Sequence, residues 1–213
     1  MLKVCQTRSA NRLSERKEGE YLQRLPPAIR ASIQRYRRWE DRQRVLLGKL
    51  LLLQALLSRN PEADDSLLEH LENTESGKPF IKGQADFNLS HSGEMVMLAV
   101  VDEGTTGIDV EKIRPIEMDD FSRVLPELFS LEAFDRPDRL KLFYATWTKK
   151  EAVLKGAGLG LLVPLDQVEL EGDRAYFNDR IWTLQAIDCG PEYSAHVATS
   201  EPQAGCWVEV VDF

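Results

Sequence analysis

The chain has few cysteines, few histidines and no long apolar run, and each shortage removes a class of protein. A membrane-spanning helix needs roughly 18 or more consecutive apolar residues. The longest helical apolar stretch, Val45 to Leu57, is broken by Gly48, Lys49 and Gln54. The N-terminus, Met1-Leu2-Lys3-Val4-Cys5-Gln6, carries no signal-peptide core. Cys5, Cys189 and Cys206 are odd in number and far apart, which suits reduced thiols in a cytoplasm and fits no metal motif. Positive charge is also short: 27 Lys and Arg face 35 Asp and Glu, for a net charge of -8. That balance excludes a general nucleic-acid binder, which needs a basic surface for phosphate contacts. With 43% hydrophobic residues in 213, there is enough apolar content for one large domain or two small ones. The expectation is a cytoplasmic protein with no membrane and no nucleic-acid partner.

The most informative stretch is Gly107-Ile108-Asp109-Val110-Glu111. Read as a β-strand, it sends Ile108 and Val110 to one face and the carboxylates of Asp109 and Glu111 together to the other. The continuous apolar run Met95 to Val101 and the turn signal Asp102-Glu103-Gly104-Thr105 make residues 95–111 a predicted β-hairpin. Like charges so close repel, more so when partly buried, unless a proton or a cation intervenes. Oxygen ligands without cysteine or histidine favour Mg²⁺ over zinc. The competing reading is a pair of acids on a solvated sheet face.

The positive charge is gathered in one place. After a proline-led helix start at Leu25-Pro26-Pro27-Ala28 come Arg30, Arg35, Arg37, Arg38, Arg42 and Arg44, opposed only by Glu40 and Asp41. Arginine forks suit phosphate oxygens, so the segment reads either as a phosphate clamp or as a solvated helix face. Arg44 is the strongest candidate. It stands at the mouth of a helix over Val45 to about Leu57 that is apolar nearly all round, hence buried.

Residues 62–76 read as an acidic connection with a short helical patch around Leu67 and Leu71. Gly77-Lys78-Pro79-Phe80 marks a turn, and a short strand Phe87-Asn88-Leu89 leads into Ser90-His91-Ser92-Gly93. Histidine there can meet an anion or be an ordinary turn residue, and no second ligand lies at zinc spacing. Residues 117–135 show a broken helical pattern interrupted by Pro126. From about Asp138 to Ala157 the three- and four-residue recurrence of Leu140, Phe143, Tyr144, Trp147, Glu151, Leu154 and Lys155 predicts a helix. Thr148-Lys149-Lys150-Glu151 has the form of a capping box, but the periodicity runs through Trp147, which favours Glu151 inside the helix, where burial raises its pKa towards that of a useful base. Strands at 168–170, 175–177, 181–187, 193–199 and 206–210, separated by turn signals, predict an antiparallel meander, with His196 structural.

Gly77-Lys78-Pro79, then Phe87-Asn88-Leu89-Ser90-His91-Ser92-Gly93, then Thr106-Gly107-Ile108-Asp109-Val110-Glu111, then Trp147-Thr148-Lys149-Lys150-Glu151-Ala152-Val153-Leu154-Lys155 resemble, in order and spacing, the signature motifs of Sfp-type 4′-phosphopantetheinyl transferases. The resemblance implies an α+β fold: two similar α/β halves, 1–105 and 106–213, forming a monomeric pseudo-dimer whose antiparallel sheets are each packed on a long helix. It implies coenzyme A in the cleft between the halves. Asp109, Glu111 and Glu151 would hold Mg²⁺, Glu151 would also be the general base, and Lys155 would bind a pyrophosphate oxygen. Ser90 and His91 would meet phosphate, His91 with Arg44 at the 3′-phosphate, and Lys78 and Pro79 would sit beside the adenine. The family often has N-terminal lysines where Ile29 and Ser32 stand here, leaving Arg30 and Arg35 to replace them. The apolar segment Gly156 to Leu165 would receive the apo acyl or peptidyl carrier, beside a basic rim at Lys149 and Lys150; core packing is the alternative for that segment.

Two rivals belong to other classes. A phosphoesterase would use the same carboxylates on water but normally wants a second-metal ligand set, which the sequence does not offer. A non-catalytic coenzyme A or nucleotide-binding module would keep Arg44, Lys78 and His91 and have no use for Glu151 with Lys155.

Overall fold

The computed structural model describes residues 1–117, Leu125 and residues 136–213, without the side chains of residues 136–138 and Leu161. The expected broken helix at 117–135 lies, but for Glu117 and Leu125, outside the described residues. The chain opens with strand β1 (Leu2–Arg8) and helices α1 (Glu15–Gln23), α2 (Pro27–Gln34) and α3 (Trp39–Leu57). A 3₁₀ turn at Asp65–His70 leads into the small hairpin β2 (Leu71–Asn73) and β3 (Pro79–Ile81). Strands β4 (Asp86–Ser92), β5 (Met95–Val101) and β6 (Thr106–Lys112) precede helix α4 (Arg136–Gly156). Strands β7 (Glu169–Glu171), β8 (Arg174–Phe177), β9 (Arg180–Ala186), β10 (Tyr193–Thr199) and β11 (Cys206–Val210) complete it.

The elements stack in four layers, helix, sheet, sheet, helix. The first sheet has the order β11-β1-β5-β4 and the second β6-β10-β9-β8-β7. All pairs are antiparallel except β1 with β11. Helix α3 covers the outer face of the first sheet, where its leucines meet Phe87, Val96, Leu98 and Val100. Seven of those leucines are buried, each contributing roughly 1.5–3 kcal/mol by removal from water, which is why the helix is apolar on nearly every side. Between the sheets lie Val4, Met97 and Ala99 against Ile108, Val110 and Val197. Helix α4 seals the outer face of the second sheet through Ala152, Val153 and Leu154 on Trp182 and Leu184. β5 is therefore buried on both faces, which accounts for its unbroken apolar run. The α+β architecture of two helix-on-sheet halves is the one expected. Among the described residues, no helix is long and apolar enough to cross a membrane.

Three local expectations are corrected. β5 and β6 do not form a hairpin: β5 pairs with β1 and β4, whereas β6 pairs with β10. The turn exists, with Gly104 at φ +76, but it carries the chain from one sheet to the other. The meander holds for β7 to β10 only, because β11 returns to the first sheet beside β1. Helix α3 starts at Trp39, so Arg44 lies in its second turn.

Candidate active site

β6 and α4 build the acidic side of the site. In β6, Ile108 and Val110 face the inter-sheet core, so the pleat turns Gly107, Asp109 and Glu111 towards α4. Gly107 makes that approach possible: a Cβ there would stand 2.0 Å from the Ala152 carbonyl oxygen and 2.3 Å from the Gly156 nitrogen. α4 runs unbroken through Thr148, which decides against a helix start at that residue. The Thr148 hydroxyl instead bonds the Tyr144 carbonyl at 2.7 Å and His196 Nδ1 at 2.7 Å, fixing the helix to β10 one turn before Glu151.

Asp109 and Glu151 are buried, at 3% and 4% exposure. Lys155 Nζ donates to Asp109 Oδ1 at 2.6 Å and to Ser90 Oγ at 3.1 Å. The Ser90 hydroxyl in turn donates to Asp109 Oδ1 at 2.9 Å, and that of Ser92 to Glu111 Oε2 at 2.6 Å. Asp109 Oδ2 and Glu151 Oε1 are buried with no hydrogen-bond partner among the described residues. The Glu151 carboxyl is pushed above the ordinary carboxylate range, by burial first and then by the Asp109 and Glu111 charges against the opposing pull of Lys155. Glu111 is likewise raised, by burial first, with Asp109 adding and the Ser92 bond opposing. One ammonium thus faces three carboxylates, and the excess negative charge adds to burial in raising the two glutamates. All donors are oxygen and two are orphaned, which fits a hard divalent cation. As they stand, though, no three Asp, Glu, His or Cys side chains among the described residues converge closely enough to hold one.

The opposite wall is cationic. A cleft of about 410 Å³ is lined by Arg38, Arg44, His91, Ser92, Gly93, Glu111, Lys112, Arg114 and Tyr144. Arg44 donates to the Gly93 carbonyl at 2.6 Å and pairs with Asp41, while its Nε is buried without a partner among the described residues. His91 is exposed at the cleft but partly desolvated, and this, followed by the Arg44 and Lys155 charges, holds its pKa below 6.5. Arg44 and His91 line the same cleft. Arg30 and Arg35 do not line this cleft; Arg38, Lys112 and Arg114 do, and sequence reasoning missed the last two because they lie beyond the arginine-rich segment. Arg42 is engaged with Glu18 at 2.6 Å.

Lys78 and Pro79 line a smaller pocket of about 140 Å³ with Asn88, Leu89, Lys155 and Gly158. The Lys78 ammonium is turned into the join between the halves, bonding Asp86 at 2.7 Å, the Gly156 carbonyl at 3.1 Å and the Thr106 carbonyl at 3.2 Å. In the segment after α4, Leu165 is core and Leu159 and Val163 pack partly against it, whereas Leu162 is 73% exposed. Lys150 is buried at 3% exposure, so it is not part of an accessible basic rim.

Comparison with known proteins gives two family matches. The family model for the 4′-phosphopantetheinyl transferase superfamily matches residues 105–201, and that for the 4′-phosphopantetheinyl transferase N-terminal region matches 14–103. The chain is 35% identical to the 4′-phosphopantetheinyl transferase Sfp of Bacillus subtilis over 72% of its own length and 69% of that protein's. It is 27% identical to the 4′-phosphopantetheinyl transferase psf-1 of Bacillus pumilus over 93% of this chain and 91% of the relative. Identity to the 4′-phosphopantetheinyl transferase AcpT of Salmonella typhi is 38% over 53% of this chain and 57% of that one. With the acidic cluster, the cationic cleft and the two helix-on-sheet halves, these matches establish that the chain belongs to the Sfp-type 4′-phosphopantetheinyl transferases, a family of enzymes.

Proposed function

We propose that this enzyme moves the 4′-phosphopantetheine arm of coenzyme A onto a serine of an apo acyl or peptidyl carrier protein, with adenosine 3′,5′-bisphosphate as the leaving group. The observation that carries this reading is the meeting, at one join, of a buried carboxylate set with a cationic cleft. Arg44 and His91 suit the 3′-phosphate. Arg44 is held in place through Gly93 and Asp41, and His91, with its lowered pKa, accepts a proton as an anion arrives. Pro79 and the Lys78 stem suit the flank of the adenine, while the Lys78 ammonium stays structural.

The carrier serine attacks the β-phosphorus: its Oγ–P bond forms, the P–O bond to the nucleotide breaks, and the hydroxyl proton must go elsewhere. Glu151 receives that proton at Oε1, the oxygen without a partner, and its raised pKa suits a base working near neutral pH. Lys155 offers its ammonium to a pyrophosphate oxygen as negative charge builds there. Asp109, Glu111 and Glu151 are the residues that would hold Mg²⁺, whose contribution when bound is to neutralise phosphoryl charge. Lys155 neutralises Asp109 in the structure described here.

The test is intact mass of several apo carriers after incubation with the protein, coenzyme A and Mg²⁺, with an EDTA control. A gain of one phosphopantetheine unit that EDTA abolishes supports the reading and ranks the carriers. Coenzyme A binding with no gain on any carrier would move the assignment to a binding module.

A further inference from the structure

Among the described residues, β6 is the edge strand of the second sheet and its outer side has no ladder partner. Its backbone donors are satisfied by side chains from the other half. Thr106 N–H donates to Asp86 Oδ2 (2.7 Å), Ile108 N–H to Asn88 Oδ1 (3.0 Å), Val110 N–H to Ser90 Oγ (3.3 Å) and Lys112 N–H to Ser92 Oγ (3.1 Å). Alternate side chains of β4 thus act as a comb on alternate amides of β6. The last two teeth do a second thing. Having accepted from the backbone, the Ser90 and Ser92 hydroxyls each donate onward to a carboxylate, Ser90 to Asp109 and Ser92 to Glu111.

From this geometry we infer that Ser92 is a positioning residue: from the N-terminal half it holds the Glu111 carboxylate of the C-terminal half at the site, as a group through which a divalent cation would be bound. A hydroxyl has one proton to donate, and here the backbone N–H of Lys112 occupies an acceptor site, which orients that proton towards Glu111. The bond is charge-assisted and short, the type that restricts a carboxylate to one orientation. Ser90 is a less clean test because its oxygen also meets Lys155. The inference rests on the reading of Glu111 as a metal ligand, and the experiment separates the two.

Mn²⁺ serves as an EPR-visible probe, titrated into the full-length protein in the presence of coenzyme A. Partners that orient a metal ligand are typically worth about 10–100-fold in metal affinity. Ser92→Ala is expected to weaken Mn²⁺ binding by roughly that factor, Ser92→Thr, which keeps the hydroxyl, to restore it, and Glu111→Gln to weaken it as well. Should Ser92→Ala prove poorly folded by thermal melting, Ser92→Cys, close in volume and a weak donor, takes its place with the same expectation. Wild-type affinity in Ser92→Ala beside a loss in Glu111→Gln overturns the positioning role and leaves the ligand assignment standing. Loss in both Ser92→Ala and Ser92→Thr also overturns it, since the hydroxyl would not be the cause. Wild-type affinity in Glu111→Gln overturns the ligand assignment and the inference with it.

Discussion

Replacing Gly107 by alanine is expected to damage both stability and turnover, for a steric reason confined to the main chain. A Cβ at this position would lie 2.0 Å from the Ala152 oxygen, 2.3 Å from the Gly156 nitrogen and 2.9 Å from the Gly156 Cα. The first contact is about 1.4 Å short of an ordinary van der Waals separation. None of these atoms can rotate aside, as a side chain could. α4 is also held where it is: a Cβ at Gly156 would already be 2.6 Å from the Trp182 ring, and the Gly156 carbonyl accepts from Lys78. Overpacking of this kind costs about 1–3 kcal/mol or more. The strand and the helix that must part carry Asp109 and Glu111 on one side and Glu151 on the other, and a misplacement of about 1 Å can cost on the order of 10²-fold in rate. Urea denaturation and carrier modification measured on the same preparation give both quantities. Gly19→Ala is the control, since nothing lies within 4 Å of a Cβ there; in the interior of α1 it should gain about 0.5–1 kcal/mol. A Gly107→Ala protein with the wild-type midpoint and wild-type turnover would refute the claim that this close approach sets the site.

Glu151→Gln should lower transfer by about 10²–10⁴ while leaving the fold intact and, at pH 7, no less stable. A carboxyl whose folded pKa is raised destabilises its charged form, and that cost, present at pH 7, disappears as pH falls towards the ordinary value of 4.5. Chemical denaturation at pH 7 and single-turnover rates check the two halves, and near-normal turnover would remove Glu151 from the role of base. His196 carries the opposite sign. Burial, with help from Lys149, lowers its pKa from 6.5 to about 4, so its contribution is complete above pH 6.5 and is lost as pH falls to about 4. The full loss is roughly 3 kcal/mol, and His196→Gln should flatten that part of the stability–pH curve; an unchanged slope would place the acid sensitivity elsewhere. Arg44→Ala should weaken coenzyme A by about 10–100-fold, from a charge-assisted bond worth roughly 1.5–3 kcal/mol, and leave 3′-dephospho-coenzyme A nearly unaffected. Equal effects on kcat/KM for the two substrates would argue against a 3′-phosphate contact.

What could be read from the sequence was whatever local periodicity determines. The pleat of β6 puts Asp109 with Glu111, and the turns of α4 put Tyr144, Thr148, Glu151 and Lys155 on one side, so both halves of the acidic cluster were legible before any tertiary information. The errors fall where a local signal has two tertiary continuations. Asp102 to Thr105 is a turn in either case, and nothing in it says whether the next strand returns to β5 or crosses to β10. β11 has the spacing of a fifth meander strand and pairs elsewhere because β1, unrecognised at the N-terminus, offers it an edge. Lys150 looked like part of a surface charge run because its burial depends on what α4 packs against. The comb was out of reach for the same reason: Asp86, Asn88, Ser90 and Ser92 alternate as any half-buried strand does, and only the placement of β6 beside them turns that alternation into hydrogen bonds.

The two charged clusters sit side by side without cancelling each other, and the structure shows how. Arg44 is occupied by Asp41 and by the Gly93 carbonyl, and Lys155 by Asp109 and Ser90. Each cation is thus held on its own wall by a bond of the same length class as an ion pair across the cleft would have. At an effective dielectric of 20, opposite charges 4 Å apart attract by about 4 kcal/mol, enough to close an unbraced cleft. The bracing preserves a cationic wall open to an anion, and beside it a carboxylate wall open to a cation, where burial first and mutual repulsion second raise Glu111 and Glu151. A lone phosphate satisfies the first and worsens the second; a lone metal ion does the reverse. A phosphorylated substrate that brings a divalent cation would answer both together, which is a physical reason for a site at the join of the halves, where Arg44 of α3 and the cations Lys112 and Arg114 meet the carboxylates of β6 and α4.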